Sequence, residues 1–353
     1  MSRFLNDGLQ KLTAYTPGEQ PQDKKYIKLN TNESPFPSSK KVVKAVDKNS
    51  VKNLRLYCDP VCKKLKNQLA NVYGTKQENV FVSNGSDEIL NFAFMAYGQD
   101  GVVFADITYG FYSVFADLYG LKSTIIPLKD DFSLDIDGFC NQNKLVVIAN
   151  PNAPTGMAIS LEDIERILET NKDGVVVIDE AYVDFGGQSC SSLIEKYDNL
   201  LCVQTFSKSR SMAGARLGFA FANSQIIEDL EKIKYSTNPY NVNSLTQIAG
   251  TFALKDNGYY MDNAKTIIKN REWTVKELKK LGFSILPSKA NFIFAKSEKI
   301  EGKELYLKLK EKGVLVRHFD KERIKDYNRI TIGSFDEMKT FIKKVEEILG
   351  EKQ

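Results

Sequence analysis

Histidine is almost missing from this 353-residue chain, in which His318 stands alone. A His-ligated metal centre or a triad built on histidine is thereby nearly excluded, and acid or base work falls to Lys, Asp, Glu or Tyr. Cysteine is also scarce. The five present are Cys58, Cys62, Cys140, Cys190 and Cys202, an odd count whose one close pair has no second pair to complete a zinc site. Free thiols in a reducing compartment are expected. No apolar run approaches the roughly 18 residues of a membrane span. Near the start, Arg3, Asn6 and Asp7 stand where a signal peptide would be apolar. These features predict a cytoplasmic protein with no membrane partner.

Charge of one sign is lacking too. The 49 Lys and Arg against 45 Asp and Glu leave +4, and lysine pairs such as Lys40 with Lys41 are scattered among acids. That is a solvated surface, with no nucleic-acid footprint. A non-enzymatic nucleotide- or nucleic-acid-binding α/β protein would carry a Walker lysine loop, a G-x-G-x-x-G after the first strand or a basic stripe, and none is found.

What remains is ordinary globular usage, 42% hydrophobic and 27% charged, enough to bury a core. At about 150 residues per domain the length allows roughly two domains. From about Leu54 to Lys234 short β-branched runs alternate with helical segments, the pattern of βαβ units and a mostly parallel, doubly wound α/β sheet. Strands are predicted at Val80–Ser83, Val102–Ala105, Val146–Ala149, Val175–Asp179, Leu201–Thr205 and Leu217–Phe221. Between them Leu161, Ile164, Ile167 and Leu168 recur one turn apart behind Ser160, with Asp163 three residues on, as a capped crossover helix would. Beyond about Tyr240 a long helical stretch precedes a β-rich portion with strands at Phe283–Leu286, Asn291–Ala295, Val314–Arg317 and Arg329–Gly333. A last helix, opened by Ser334-x-x-Glu337, presents Met338, Phe341, Ile342, Val345 and Ile348 on one face. This part reads as a smaller α+β domain.

In doubly wound sheets ligands sit outside the carboxyl ends of the strands. Val80–Ser83 runs into Asn84-Gly85-Ser86-Asp87-Glu88 and a helix, either a phosphate cup of free N–H groups or an ordinary N-cap. Val146–Ala149 ends in Asn150-Pro151-Asn152-Ala153-Pro154-Thr155-Gly156, a sharp turn with free asparagine amides. Val175–Asp179 delivers a buried acid that needs a cation or several donors, followed by Tyr182. Leu201–Thr205 leads to Ser207 and Lys208, an amine able to form a Schiff base, and Arg216 follows in a Gly-rich piece. Tyr109 follows Val102–Ala105. A cofactor with a phosphate, an aldehyde and a basic ring nitrogen explains all of these on one edge.

On these motifs, together with Leu29-Asn30-Thr31-Asn32-Glu33-Ser34-Pro35, Thr108-Tyr109-Gly110, Asp179-Glu180-Ala181-Tyr182, Gly214-Ala215-Arg216-Leu217-Gly218 and Arg329-Ile330-Thr331-Ile332-Gly333, the chain resembles the fold type I pyridoxal-phosphate aminotransferases, and within them the histidinol-phosphate aminotransferases. The resemblance covers nearly the whole length. It implies a large cofactor domain over 33–240 and a small domain made of 1–32 and 241–353. It implies pyridoxal 5'-phosphate as cofactor, with Lys208 as Schiff-base lysine and proton carrier and Asp179 on the ring nitrogen. Tyr182 would bind the ring hydroxyl and Tyr109 would stack on the ring. Gly85, Ser86, Thr205, Ser207 and Arg216 would hold the phosphate, and Tyr57 would reach the neighbouring subunit's phosphate in a homodimer. The family's asparagine before Pro-Thr-Gly is Ala153 here, with Asn152 as candidate substitute.

The resemblance also implies Tyr15, Asn32, Arg317 and Arg329 around the substrate. Arg317 reads either as a second grip on an anion or as a surface strand residue. His318 reads as packing or surface. The implied reaction is ping-pong transamination between histidinol phosphate and 2-oxoglutarate, small molecules both. An aromatic amino acid aminotransferase and a threonine-phosphate decarboxylase stand as alternatives on the same fold.

Overall fold

In the computed structural model, which describes residues 2–10 and 12–350, the β-branched runs condense into one central sheet. Its seven strands are β1 (Val80–Ser83), β2 (Val102–Ala105), β3 (Ser123–Ile126), β4 (Leu145–Ala149), β5 (Val176–Asp179), β6 (Leu200–Thr205) and β7 (Gly218–Ala222). Their spatial order is β1-β7-β6-β5-β4-β2-β3. Only β7 runs antiparallel to its neighbours; the other pairs are parallel. Six strands are buried along their whole length, as strands covered by helices on both faces must be. The six match the runs legible in the sequence to within a residue at each end. The seventh, β3, was not anticipated: it is an edge strand alternating between exposed and half-buried positions, so it carries no buried run to read. The helix Leu161–Thr170 opens with the expected reciprocal Ser160–Asp163 cap.

The small domain holds a second sheet of β8 (Phe283–Ile285), β9 (Phe292–Ser297), β10 (Arg317–His318) and β11 (Tyr327–Thr331), in the order β10-β11-β9-β8 and antiparallel throughout. The strand expected over Val314–Arg317 splits in two. Val314 and Leu315 pair with Ile27 and Lys28 of the N-terminal arm, whereas Arg317 and His318 pair with β11. The arm therefore joins the small domain, and Leu29 is buried in its core. The closing helix, Phe335–Gly350, buries its apolar face as patterned, and Glu337 Oε2 accepts from Ser334 N at 2.7 Å to cap it.

One boundary is corrected. The helix Ser244–Leu254 sends Ala249, Ala253 and Leu254 into the large domain's core, beyond the expected limit at 240. The next helix, Asn257–Lys280, places Tyr260 in that core and Ala264, Ile267 and Leu278 in the small one. The passage between domains lies inside this helix. Helical periodicity reveals that a stripe is buried, not which core buries it.

Candidate active site

Between the carboxyl ends of the large sheet and the small domain lie two adjoining cavities. The first, about 180 Å³, is lined by Ser86, Tyr109, Asp179, Thr205, Lys208 and Arg216 among others. At one end the loop after β1 turns at Gly85, with φ of +80°, into the helix Ser86–Tyr97. A Cβ on Gly85 would lie 2.5 Å from the Arg216 guanidinium, so only glycine lets the loop and that side chain meet. Thr205 Oγ1 donates to Ser207 Oγ at 3.0 Å and accepts from Ser207 N at 3.1 Å. Hydroxyls, a helix N-terminus and a guanidinium in one corner make an anion cup. Arg216 itself pairs with Asp87 Oδ2 at 2.9 Å, and Asp87 Oδ1 accepts from Tyr109 Oη at 2.9 Å.

At the opposite end β5 delivers Asp179, only 5% exposed. Its carboxylate accepts from Tyr112 Oη at 2.8 Å and from Ala181 N at 3.3 Å. No cation pairs with it among the described residues. Burial, only partly offset by the Tyr112 hydrogen bond, pushes its pKa up to about 6. A buried acid facing a cavity with no positive partner is a site for a ligand's cationic N–H.

Lys208 and Tyr182 close the space between these ends. Lys208 Nζ donates to the Thr31 carbonyl at 3.4 Å and lies 5.7 Å from the Tyr182 ring centroid. Tyr182 Oη accepts from Asn32 Nδ2 at 3.0 Å. Asn32 is held in a left-handed turn with φ of +57°, where its amide side chain and backbone meet Thr331 of β11.

The second cavity, about 350 Å³, continues from Lys208 and Tyr182 toward the small domain, past Tyr15, Asn32, Arg317 and Arg329. Arg317 and Arg329 are direct partners across β10 and β11, so both side chains stand on one face. Both side chains line the second cavity. Arg329 Nη2 donates to the Asn30 carbonyl at 3.0 Å, while its buried Nε has no partner. Neither arginine has an ion-pair partner within 4 Å among the described residues. Burial lowers the Arg329 pKa, and the like charge of Arg317 adds to that. His318 stacks on Tyr306 at 5.8 Å, a packing role outside the cavities.

One expected contact falls elsewhere. Asn152 does not substitute for the missing asparagine: its Nδ2 donates to the Ile107 carbonyl and to Thr155 Oγ1, both at 3.0 Å, and its Oδ1 accepts from Thr108. With its amide spent on bracing loops, Asn152 faces away from the first cavity, while Ala153 lines it. Tyr57 is 84% exposed, stacked on Tyr240 at 4.5 Å and away from both cavities. Sequence reading missed Asp87, Tyr112 and the Thr31 carbonyl. Asp87 lay inside a quoted motif, but Tyr112 sits in a helical stretch with nothing local to mark it.

The comparisons agree with this geometry. Residues 24–345 match the family model described as aminotransferase class I and II. The chain belongs to the class I and II aminotransferases. Relatives of this aminotransferase include the histidinol-phosphate aminotransferase of Brachyspira hyodysenteriae, 51% identical over 99% of each chain. That of Clostridium acetobutylicum is 49% identical over 99% of this chain and 100% of its own. Among solved structures, the Sinorhizobium meliloti histidinol-phosphate aminotransferase in complex with pyridoxal-5'-phosphate shares the fold. Its TM-score is 0.89 at 21% identity, covering 100% of this chain and 99% of that one.

Aminotransferases of this class depend on pyridoxal phosphate. The residues present fit it, because the anion cup, the Lys208 amine and the Asp179 carboxylate, which has no cationic partner among the described residues, all line one cavity. The aminotransferase's amino donors and acceptors are small molecules. No helix among the described residues is long and apolar enough to cross a membrane.

Proposed function

We infer that this aminotransferase transfers the amino group of histidinol phosphate to 2-oxoglutarate, a step of histidine biosynthesis. The observation that carries the substrate reading is the Arg317–Arg329 pair. Two guanidiniums directly opposite on a sheet repel one another, and with no carboxylate within ion-pair distance of either among the described residues they favour a dianionic guest. A phosphate at the far end of the donor fits that place, and the distal carboxylate of 2-oxoglutarate takes it in the second half-reaction. The names of the relatives at 51% and 49% identity support the same substrate.

When bound, pyridoxal phosphate supplies an aldehyde that condenses with amines and a protonated ring that draws electrons from the substrate's Cα. Ser86, Thr205, Ser207 and Arg216 would hold its phosphate, with the helix N-terminus beneath. Asp179 would hold a proton at the ring nitrogen. Tyr182, itself fixed by Asn32, would donate to the ring hydroxyl. Lys208 Nζ takes the proton from the donor's Cα and returns it on the other side of the exchange. Tyr15, stacked on Phe111 at 4.3 Å and edge-on to Tyr109 at 6.2 Å, walls the substrate end.

Tyr57, with its exposed hydroxyl, is assigned to the neighbouring subunit's phosphate in a cytoplasmic homodimer. The decisive experiment offers holoenzyme and 2-oxoglutarate histidinol phosphate, threonine phosphate or phenylalanine in turn. Glutamate formed fastest with histidinol phosphate is the expected result. Carbon dioxide released from threonine phosphate, or phenylalanine as the best donor, would overturn the substrate assignment.

A further inference from the structure

Buried polar side chains that this chemistry leaves unused form one continuous hydrogen-bonded chain. It begins at Ser209, one residue after Lys208, whose hydroxyl donates to Asp184 Oδ2. Arg210 Nη1 donates to the same oxygen at 2.8 Å, and Arg210 Nη2 donates to Asn257 Oδ1 at 3.0 Å and to Tyr73 Oη at 3.2 Å. Tyr73 donates its own proton to Gln204 Oε1 at 2.8 Å. Gln204 Nε2 then donates to Glu180 Oε2 at 2.8 Å. Glu180 is the residue after Asp179, so the chain ends one peptide from the buried acid, as it began one peptide from the amine.

Such a chain is costly to bury. Glu180, Gln204 and Arg210 are 1%, 2% and 2% exposed, and apolar side chains of similar size would hold the fold without the desolvation penalty. What such a connected polar network adds is a unique geometry, even with Arg210 Nε left without a partner among the described residues. That geometry matters at this place. Asp179 is fixed by its ladder to Val203 of β6, but Lys208 lies beyond the end of β6 in a loop without a sheet partner. The ladder therefore leaves the Lys208 to Asp179 separation free, and the network spans the gap. Glu180 is its anchor: it accepts from Ser189 Oγ and Cys190 N, both at 2.6 Å, and from Cys202 Sγ at 3.2 Å, besides Gln204. Glu180, Cys190 and Cys202 are metal-ligand residue types within 4.8 Å of one another. With these four donors the carboxylate is already satisfied, which leaves it no lone need for a cation.

We propose that this buried chain, centred on Tyr73 and Arg210, sets the spacing between the Lys208 amine and the Asp179 carboxylate to that of a pyridine ring. Tyr73, Arg210, Gln204 and Glu180 are positioning residues, acting only through their neighbours. Tyr73→Phe removes one oxygen and cuts the chain while keeping the ring packed on Phe219 and Phe221. Ser209→Ala cuts it at the amine end. In each holoenzyme kcat falls about tenfold with the donor KM unchanged, and the pH midpoint of the Schiff base's visible band moves by about half a unit or more. Because both cuts break the same chain, the double variant is no slower than the slower single one. Wild-type kcat and band midpoint in both variants, with only the melting temperature lowered, would overturn the proposal, as would rate losses that multiply. Should Tyr73→Phe fail to fold, Ser209→Ala decides by the same readouts.

Discussion

The two ends of the active site are electrostatic opposites. At the cofactor end a buried carboxylate, Asp179, has no cation beside it; at the substrate end a half-buried guanidinium, Arg329, stands opposite a second one with no anion in ion-pair contact among the described residues. Each is a charge the fold holds at a cost until a ligand group of the other sign arrives. The ends also differ in construction. The cofactor end is assembled at the carboxyl ends of five strands of one sheet, β1, β2, β4, β5 and β6, whereas the substrate end needs the small domain, with the N-terminal arm it includes, to meet the large one across the cleft. A fixed group is held by the first and an exchanging one by the second.

The sharpest test lies between the two ends. Lys208→Ala should lower turnover by about 10⁴-fold or more, measured in single turnovers, while the protein still binds cofactor and donor. Near-wild-type rates would mean that the amine joining the two ends is another residue.

Asp179→Asn should separate stability from function. Turnover drops by roughly 10²- to 10³-fold as the ring nitrogen loses its proton. The apoprotein, by contrast, gains stability. The folded pKa, about 6, lies above the ordinary carboxylate value of 3.8, so Asp179's favourable contribution is complete below about pH 4 and is lost as pH rises through about 6. At pH 8 the asparagine variant should therefore exceed the wild-type apoprotein by up to about 3 kcal/mol in denaturant melts, with the gap closing below pH 5. An equal gap at both pH values would show that the carboxylate is not held unpaired.

At the other end Arg329→Gln should act on the substrate alone. The donor KM rises by roughly 10- to 100-fold, the worth of a charge-assisted hydrogen bond or two, and the visible band of bound cofactor stays unchanged. Arg317→Gln should cost less, because its side chain is more exposed and its contacts, to the Thr16 and Pro17 carbonyls at 3.4 Å, are longer. The smallest effect is expected from Tyr109→Phe, which removes only the hydroxyl bonded to Asp87. A loss of about 1 kcal/mol in cofactor affinity, read by equilibrium dialysis, is the expectation. A larger loss would give the phenol a contact of its own with the cofactor.

Legibility followed the same divide. Asp179, Lys208, Arg216 and the Gly85 loop were readable because each sits at the end of a short apolar run, and buried parallel strands announce themselves locally. Arg317 was not, since its role depends on which residue of Tyr327–Thr331 lies opposite it, and β10 is only two residues long. Asn152 misled for a related reason. Its neighbours in sequence matched the motif, yet packing against Ile107, Thr108 and Thr155 consumed its amide. Tyr73 and Arg210, 137 residues apart, had no pattern to connect them.

The amino-acid sequence alone determined the large sheet, through its periodicity, and set a lysine, an acid and an arginine near its strand ends, while the near-absence of histidine left acid and base work to such groups. Only the tertiary structure decided the substrate end, the domain passage inside Asn257–Lys280 and the buried chain behind the cavity. The reason is one of range. Hydrogen-bond ladders and turn chemistry act over a few residues and are written in them, whereas which distant side chains come to face one cavity is set by how strands and whole layers pack.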